Sequence, residues 1–75
     1  MRKRDFKVGD LVYITEMDEQ WFSHGKLTFD TEHRRSVEVG TLISSPLRGG
    51  YEVKFWALPE DVFFFYNYEM IHADL

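Results

Sequence analysis

The segment from Tyr51 to Ile71 constrains the fold more than any other part of the chain. It contains eight of the thirteen aromatic residues in a sequence of 75. Tyr51, Val53 and Phe55 occupy alternate positions, which is the period-2 pattern of a strand with one buried face. Residues 57–61, with Pro59, interrupt the pattern as a loop, and Val62 to Tyr66 resume it. The two runs predict a hairpin that supplies most of the core, since each aromatic residue buries roughly 150–250 Å².

The length and composition predict a single small domain, residues 1–75. A chain this short supports one small core. It has no cysteine, which excludes disulfides and cysteine-based metal sites. No apolar run approaches the roughly 20 residues of a membrane span, and the charged N-terminus leads directly into a strand pattern. We therefore expect a cytoplasmic protein that does not engage a membrane.

The charge is unevenly distributed along the chain. The net charge is −4; residues 1–35 balance seven basic against seven acidic side chains, whereas residues 36–75 hold two basic and six acidic ones. The aromatic half is thus the acidic half, which disfavours phosphate backbones. We expect another protein as the partner, with a basic or apolar surface. The alternative is a nucleic-acid binder that uses Arg2, Lys3, Arg4, Arg34 and Arg35.

Two further stretches predict strands. The N-terminal one surrounds a turn at Gly9-Asp10 and places four residues in the core: Phe6, Val8, Val12 and Ile14. The second strand spans Val37 to Ser44, with Gly40 as a bulge or bend. After the hairpin, Asn67 is the expected N-cap of one helical turn through Met70. Ile71 would then enter the core, and residues 72–75 would form a last short strand.

Residues 16–35 form the least regular segment. Trp21-Phe22 and Leu27 to Phe29 read as short strand pieces on either side of a turn at residues 23–26. A long irregular segment in a small domain is often functional. Trp21 and Phe22 would either cover the core or form a contact surface, and the sequence leaves both open.

No set of residues in the sequence has the pattern of a known catalytic or metal-binding site. The histidines lack metal-ligand spacing, and no phosphate-binding loop or nucleophile motif is present. The paired carboxylates fall in predicted loops, where solvation accounts for them. We therefore expect no enzyme activity, no metal and no cofactor.

The surplus of aromatic residues predicts a contact surface. Phe63 to Tyr66 cannot all face one side of a strand, and Trp56 lies on the opposite face from Phe55. Either residues 16–35 cover the outward rings, or the rings form a patch for a basic or apolar peptide. The predicted contact residues are Trp21, Phe22, Trp56, Glu60, Asp61, Phe64 and Tyr66.

The order of these motifs resembles the small SH3-like barrels of the Tudor and KOW type. The matching pieces are Gly9-Asp10, Gly40-Thr41-Leu42, Val53-Lys54-Phe55 and residues 67–71, about two-thirds of the chain. The resemblance implies an all-β fold: a small, five-stranded, antiparallel SH3-like (Tudor-like) barrel. Residues 16–35 would make the first loop longer than is usual in that family, and a short helical turn would lie near the C-terminus.

The resemblance also implies several partner classes, because such barrels serve many functions. Tudor-type members hold methylated lysine or arginine in an aromatic cage, which would place Phe55 and Phe64 near cage positions with Trp21 as a third wall. KOW-type members bind RNA or the transcription machinery. Many free-standing barrels of this kind are encoded by bacteria and their phages as small adaptors or inhibitors, and a chain from Met1 to Leu75 without linkers fits such a product.

Overall fold

The computed structural model describes residues 5–16 and 27–73, and in these ranges the chain is all-β. Its regular elements are one 3-10 turn, Asn67–Glu69, and seven strands: β1 Leu11–Ile14, β2 Phe29–Asp30, β3 Arg35–Ser36, β4 Gly40–Leu47, β5 Gly50–Phe55, β6 Leu58–Tyr66 and β7 Met70–His72. No helix in the described ranges has the length and apolar character needed to cross a membrane.

Five strands form one antiparallel sheet in the order β6-β5-β4-β1-β7, and β2 pairs with β3 in a separate two-stranded sheet. The all-β, antiparallel prediction is confirmed. The predicted closed barrel is not observed in the described ranges, because closure would require the two outer strands, β6 and β7, to pair. The main sheet is open.

The predicted central hairpin is confirmed as β5 and β6, which differ from the prediction at their connection. A two-residue turn, Trp56 and Ala57, joins the strands, so Pro59 and Glu60 belong to β6 rather than to a loop. The register shifts between Val53 paired with Phe63 and Phe55 paired with Leu58. Proline, which cannot donate to a strand ladder, thus lies in the irregular part of the pairing.

The core lies against one face of the main sheet. Its buried apolar residues are Phe6, Val12, Ile14, Leu27, Leu42, Val53, Phe55, Phe63, Phe65 and Met70. The prediction for Val8 is wrong, since its side chain is 59% exposed. Val8 forms a turn with Gly9, whose φ is +100°, and this reversal ends the alternation that placed Val8 inward.

Gly40 serves a different purpose from the one predicted. It pairs regularly with Phe55, and the register shifts of β4 come later, between Leu42 and Ser44 and between Ser44 and Leu47. A Cβ at Gly40 would overlap Cγ1 of Val53 and lie 3.0 Å from the Phe55 ring. No bulge lies at Gly40, and glycine allows close packing of β4 on the core at this position.

The helical turn near the C-terminus is confirmed, but its cap and the buried residue after it each lie one position earlier than predicted. Tyr66, not Asn67, is the cap, and its N–H donates to Oε1 of Glu69 at 2.8 Å. Met70, not Ile71, is fully buried, because the turn is only three residues long and Met70 already pairs with Ile14.

Ser36 connects the small sheet to the main sheet. Its buried hydroxyl accepts the Ile14 N–H at 2.9 Å and donates to the Glu38 carbonyl at 2.8 Å. The hairpin of β2 and β3 was not predicted. The predicted strand at Trp21-Phe22 and the turn at residues 23–26 lie outside the described residues.

Candidate interaction surface

The main sheet has an outer face opposite to the core. Directly opposed residues on neighbouring antiparallel strands point to the same side, and the register pairs Thr41 with Lys54 and Glu52 with Phe64. Their chain neighbours Leu42, Val53 and Phe63 are buried in the core. The outer face therefore presents Thr41, Glu52, Lys54, Phe64 and Tyr66.

Three rings form a continuous stripe at one end of this face, which we call the outer stripe: Phe64, Tyr66 and Tyr68. The centroids of Phe64 and Tyr66 are 5.1 Å apart with planes at 88°, and those of Tyr66 and Tyr68 are 5.9 Å apart with planes at 4°. Tyr66 is 42% and Tyr68 is 62% exposed. Tyr66 thus contacts both Phe64 and Tyr68; Tyr66 and Tyr68 are exposed to solvent, and Phe64 is partly buried.

Glycine allows the stripe to lie close to the sheet. The Phe64 ring covers Gly50, where a Cβ would overlap Cζ of the ring and lie 3.0 Å from Cδ1 of Leu47. Leu47, 51% exposed, pairs with Gly50 across the turn between β4 and β5. The ring of Phe64 is held by these contacts and is only half-exposed.

Two carboxylates border the outer stripe. Glu52 lies opposite Phe64, and its Oε1 accepts the Ser44 hydroxyl at 2.5 Å. Glu69 accepts the Tyr66 N–H. One cation, Arg48, occupies the turn between β4 and β5 at the same end. The charge beside the rings is therefore acidic on balance.

A groove occupies the opposite end of the outer face, which we call the Trp56 groove. Its volume is about 200 Å³, and Thr41, Lys54, Phe55, Trp56 and Pro59 line it. Trp56, at the tip of the hairpin, is 92% exposed. The outward position predicted for Trp56 is thus confirmed.

The predicted contact residues fall into two places rather than one. Phe64 and Tyr66 belong to the outer stripe, while Trp56 lies at the other end of the hairpin. Glu60 is exposed and Asp61 is partly buried, both within β6 beyond the Trp56 groove. Trp21 and Phe22 lie outside the described residues. Whether any of these residues binds a partner stays a prediction.

Sequence reasoning missed Tyr68, Thr41 and Lys54. Tyr68 lies in the 3-10 turn, so the alternation along β6 does not extend to it. Thr41 and Lys54 become neighbours only through the register of β4 and β5. The alternation of Lys54 with Val53 and Phe55 was the one signal that pointed it outward.

Phe55 and Phe64 do not form one aromatic cage. Phe55 is 1% exposed and contacts Phe63 in the core, whereas Phe64 lies on the outer face. Rings on opposite faces of a sheet cannot wall one ligand. The cage positions implied by the Tudor resemblance are therefore wrong for this pair.

Two carboxylates outside this surface cap turns. The backbone N–H groups of Glu32 and His33 donate to Oδ1 of Asp30, at 3.0 and 3.2 Å. Nδ1 of the His33 ring lies 2.8 Å from Oδ2 of the same carboxylate. The hydrogen bond from the His33 ring is the largest cause of a lowered pKa for Asp30. Asp30, Glu32 and His33 also have atoms close enough to hold a metal ion. The turn between β2 and β3 accounts for the position of Asp30.

Asp10 connects the first strand to the last. Its Oδ2 accepts the Lys7 N–H at 2.9 Å and lies 3.0 Å from Nε2 of His72, whose ring packs 4.5 Å from the Phe6 ring. The Lys7 hydrogen bond, followed by the one with His72, lowers the pKa of Asp10. This carboxylate stabilises the fold in its charged form.

Comparisons with models of protein families, with curated proteins and with solved structures each found no match. The surface chemistry of the described residues is therefore the basis for a functional proposal.

Proposed function

We propose that the chain is a non-enzymatic protein-binding module, a small intracellular adaptor or inhibitor that holds a basic and apolar segment of a partner protein against the outer stripe. One observation carries the proposal: Phe64, Tyr66 and Tyr68 contact each other in sequence while Tyr66 and Tyr68 remain exposed. Aromatic side chains dominate the binding energy of protein interfaces.

The arrangement of the rings favours binding because they are already ordered. Immobilising side chains on association costs free energy. Here Phe64 packs over Gly50, and Tyr66 meets Phe64 edge to face and stacks on Tyr68. Nearby Leu47 and Val62, 51% and 52% exposed, extend the apolar area. The stripe therefore offers an apolar surface whose side chains lose little conformational entropy when a partner binds.

The charge beside the rings favours a basic segment. Glu52 and Glu69 are held next to the stripe by their hydrogen bonds, and the faces of tyrosine rings attract cations. The chain itself shows this geometry elsewhere, since the Arg35 guanidinium lies 4.1 Å from the centre of the Tyr13 ring. An arginine of the partner could approach Tyr66 or Tyr68 in the same way.

Two features bear on the alternatives. The strand that carries the rings runs into a 3-10 turn and then buried Met70, which supports an SH3-like fold of the Tudor or KOW type.

A KOW-like module that binds nucleic acid or the transcription machinery would use a basic surface. Of the arginines in the described ranges that it would use, Arg35 is already engaged with Tyr13. A Tudor-like reader would need cage walls other than Phe55 with Phe64.

Asp10 and Asp30 are not candidates for a catalytic general acid. A catalytic carboxylic acid needs a raised pKa, whereas Asp10 and Asp30 have lowered pKa values because they cap turns.

The test is an NMR titration with a synthetic peptide in which arginine alternates with leucine, acetylated and amidated at its ends. We expect the resonances of Phe64, Tyr66 and Tyr68 to shift, and the double variant Tyr66→Ala/Tyr68→Ala to weaken binding about tenfold or more. The matched control variant is Val8→Ala/Val37→Ala, which removes two exposed apolar side chains away from the stripe.

A second arm distinguishes the partner classes. The same peptide with glutamate in place of arginine should leave the stripe resonances unshifted. Binding of an oligo-dT strand that falls steeply with salt would instead support the nucleic-acid class. Equal weakening by the control double variant would contradict the assignment of the stripe.

A further inference from the structure

We infer that the Trp56 groove is a second binding site, with the opposite charge preference, for a partner segment that carries a carboxylate next to a large apolar side chain. The site is independent of the outer stripe, since it lies at the other end of the hairpin. The inference would stand even if the stripe bound nothing.

The walls of the groove are apolar. Phe55, Pro59 and Trp56 line a shallow, open depression of about 200 Å³, which can accept one large side chain. Trp56 is 92% exposed and lies in the two-residue turn that joins the paired strands β5 and β6. Burying that indole under a ligand would remove a large apolar surface from water.

The polar groups of the groove select an anion. Lys54 lies beside Thr41 in the register of β4 and β5, and both line the groove. Within residues 5–16 and 27–73 the ion pairs join Asp30 to His33 and Asp10 to His72, and none joins Lys54 to a carboxylate. Glu52, its neighbour on the outer face, accepts the Ser44 hydroxyl instead. The Lys54 ammonium and the Thr41 hydroxyl can therefore donate to an incoming carboxylate.

The chemistry favours a peptide over a nucleic acid. The groove could hold a single nucleotide, with the base stacked on Trp56 and the phosphate beside Lys54. A strand, however, would continue across a half of the chain that has two basic and six acidic residues. One cation beside one apolar groove suits a single carboxylate. The occupant is therefore an acidic and apolar segment of a protein.

The probe is an acetylated and amidated glycine–serine peptide that carries one glutamate next to one leucine, so that a single side chain supplies the only carboxylate. In NMR titrations we expect it to shift the Trp56 indole N–H and the amides of Thr41 and Lys54. The Trp56 indole resonance is identified by its loss in Trp56→Ala. That substitution should weaken binding about tenfold or more.

The charge is tested by a matched pair of variants. Lys54→Gln should weaken binding about threefold, as for an ion pair that is partly exposed to solvent, and the loss should shrink as salt is raised. Arg34→Gln removes the same charge from the turn between β2 and β3 and should leave the affinity unchanged. A glutamine–leucine peptide should bind wild type and Lys54→Gln equally.

Three outcomes would overturn the inference: equal effects of Lys54→Gln and Arg34→Gln, no shift at Trp56 with the glutamate–leucine peptide, or a stronger response at Trp56 to oligo-dT. Because Trp56 and Lys54 are outside the core, thermal melts of both variants should match wild type. The arginine–leucine peptide on the outer stripe reports separately, so failure at one site is distinguishable from failure at the other.

Discussion

On β6, alternate aromatic residues face opposite sides of the sheet. Phe63 and Phe65 are 2% and 1% exposed, while Tyr66 on the other face is 42% exposed. Both sets of rings contact each other: Phe63 and Phe65 are stacked at 6.2 Å, and Phe64 and Tyr66 meet edge to face at 5.1 Å. The two sets of rings differ in their surroundings: core side chains cover Phe63 and Phe65, whereas solvent contacts Tyr66.

The comparison shows that ring–ring contact by itself does not separate a structural cluster from a binding surface. The inner rings also contact Phe55 and lie among buried aliphatic side chains. The outer rings lie over Gly50 and beside two carboxylates. Close packing on all sides gives stability, whereas a ring packed on one side retains apolar surface for a partner.

The largest expected effect comes from removing an inner ring. Phe63→Ala should lower the free energy of unfolding by about 3–5 kcal/mol, since it leaves a cavity in a small core. Tyr66→Ala on the outer face should cost less than about 1 kcal/mol. Urea denaturation of the two variants measures the difference. Similar losses would mean that the outer rings belong to a buried cluster, and would break the comparison.

A smaller difference should separate two glycines on the two sides. Gly40→Ala puts a methyl group against Val53 and Phe55 in the core, and we expect a cost of about 1–3 kcal/mol from overpacking. Gly50→Ala meets the far ends of the Phe64 and Leu47 side chains on the outer face, where a small shift leaves no cavity in the core. We expect a change within about 1 kcal/mol there, because lower entropy of the unfolded chain offsets the strain. Thermal melts of both variants provide the check, and the reverse order would contradict it.

Two serines extend the comparison to hydrogen bonds. Ser36→Ala removes a fully buried hydroxyl that serves Ile14 and Glu38, and we expect a cost of about 1–2 kcal/mol. Ser44→Ala removes a hydroxyl that donates to Glu52 on the outer face, where water can replace it, so less than about 0.5 kcal/mol is expected. Hydrogen exchange at the Ile14 amide should also accelerate in Ser36→Ala only. A larger loss for Ser44→Ala would show that the outer face is structural.

The smallest effect concerns Asp10, whose side chain is 31% exposed. Its folded pKa lies below the usual aspartate value of 3.8, because the Lys7 N–H and then His72 stabilise the carboxylate. Its contribution is therefore present above pH 3.8 and lost as the pH falls through the folded value. Asp10→Asn should cost less than about 1 kcal/mol at pH 6, and the difference from wild type should shrink toward acid.

Urea denaturation at a series of pH values measures this dependence, with Asp5→Asn as the control variant at an exposed aspartate. A difference that grows toward acid would contradict the assigned sign.

Part of the candidate surface was predictable and part was not. Alternation along Val53, Lys54 and Phe55 placed Lys54 and Trp56 outward, and the run of rings required some to face solvent. Tyr68 joined the outer stripe through a 3-10 turn that changes the direction of the chain after β6. Trp56 lies far from the outer stripe because β6 begins at Leu58, directly after the turn, and includes Pro59 and Glu60. The sequence had predicted a loop at these two residues.

The sequence by itself determined the all-β class, the central hairpin, the turn at Gly9-Asp10 and the surplus of aromatic residues, because period-2 alternation and turn chemistry are local properties. Only the tertiary structure decided which face of each strand is covered, which residues become cross-strand neighbours, and that Gly40 and Gly50 are sites of close approach. Register sets those features, and register depends on packing between segments far apart in the chain. For that reason Thr41 and Lys54 meet beside Trp56 through a contact that no local pattern encodes.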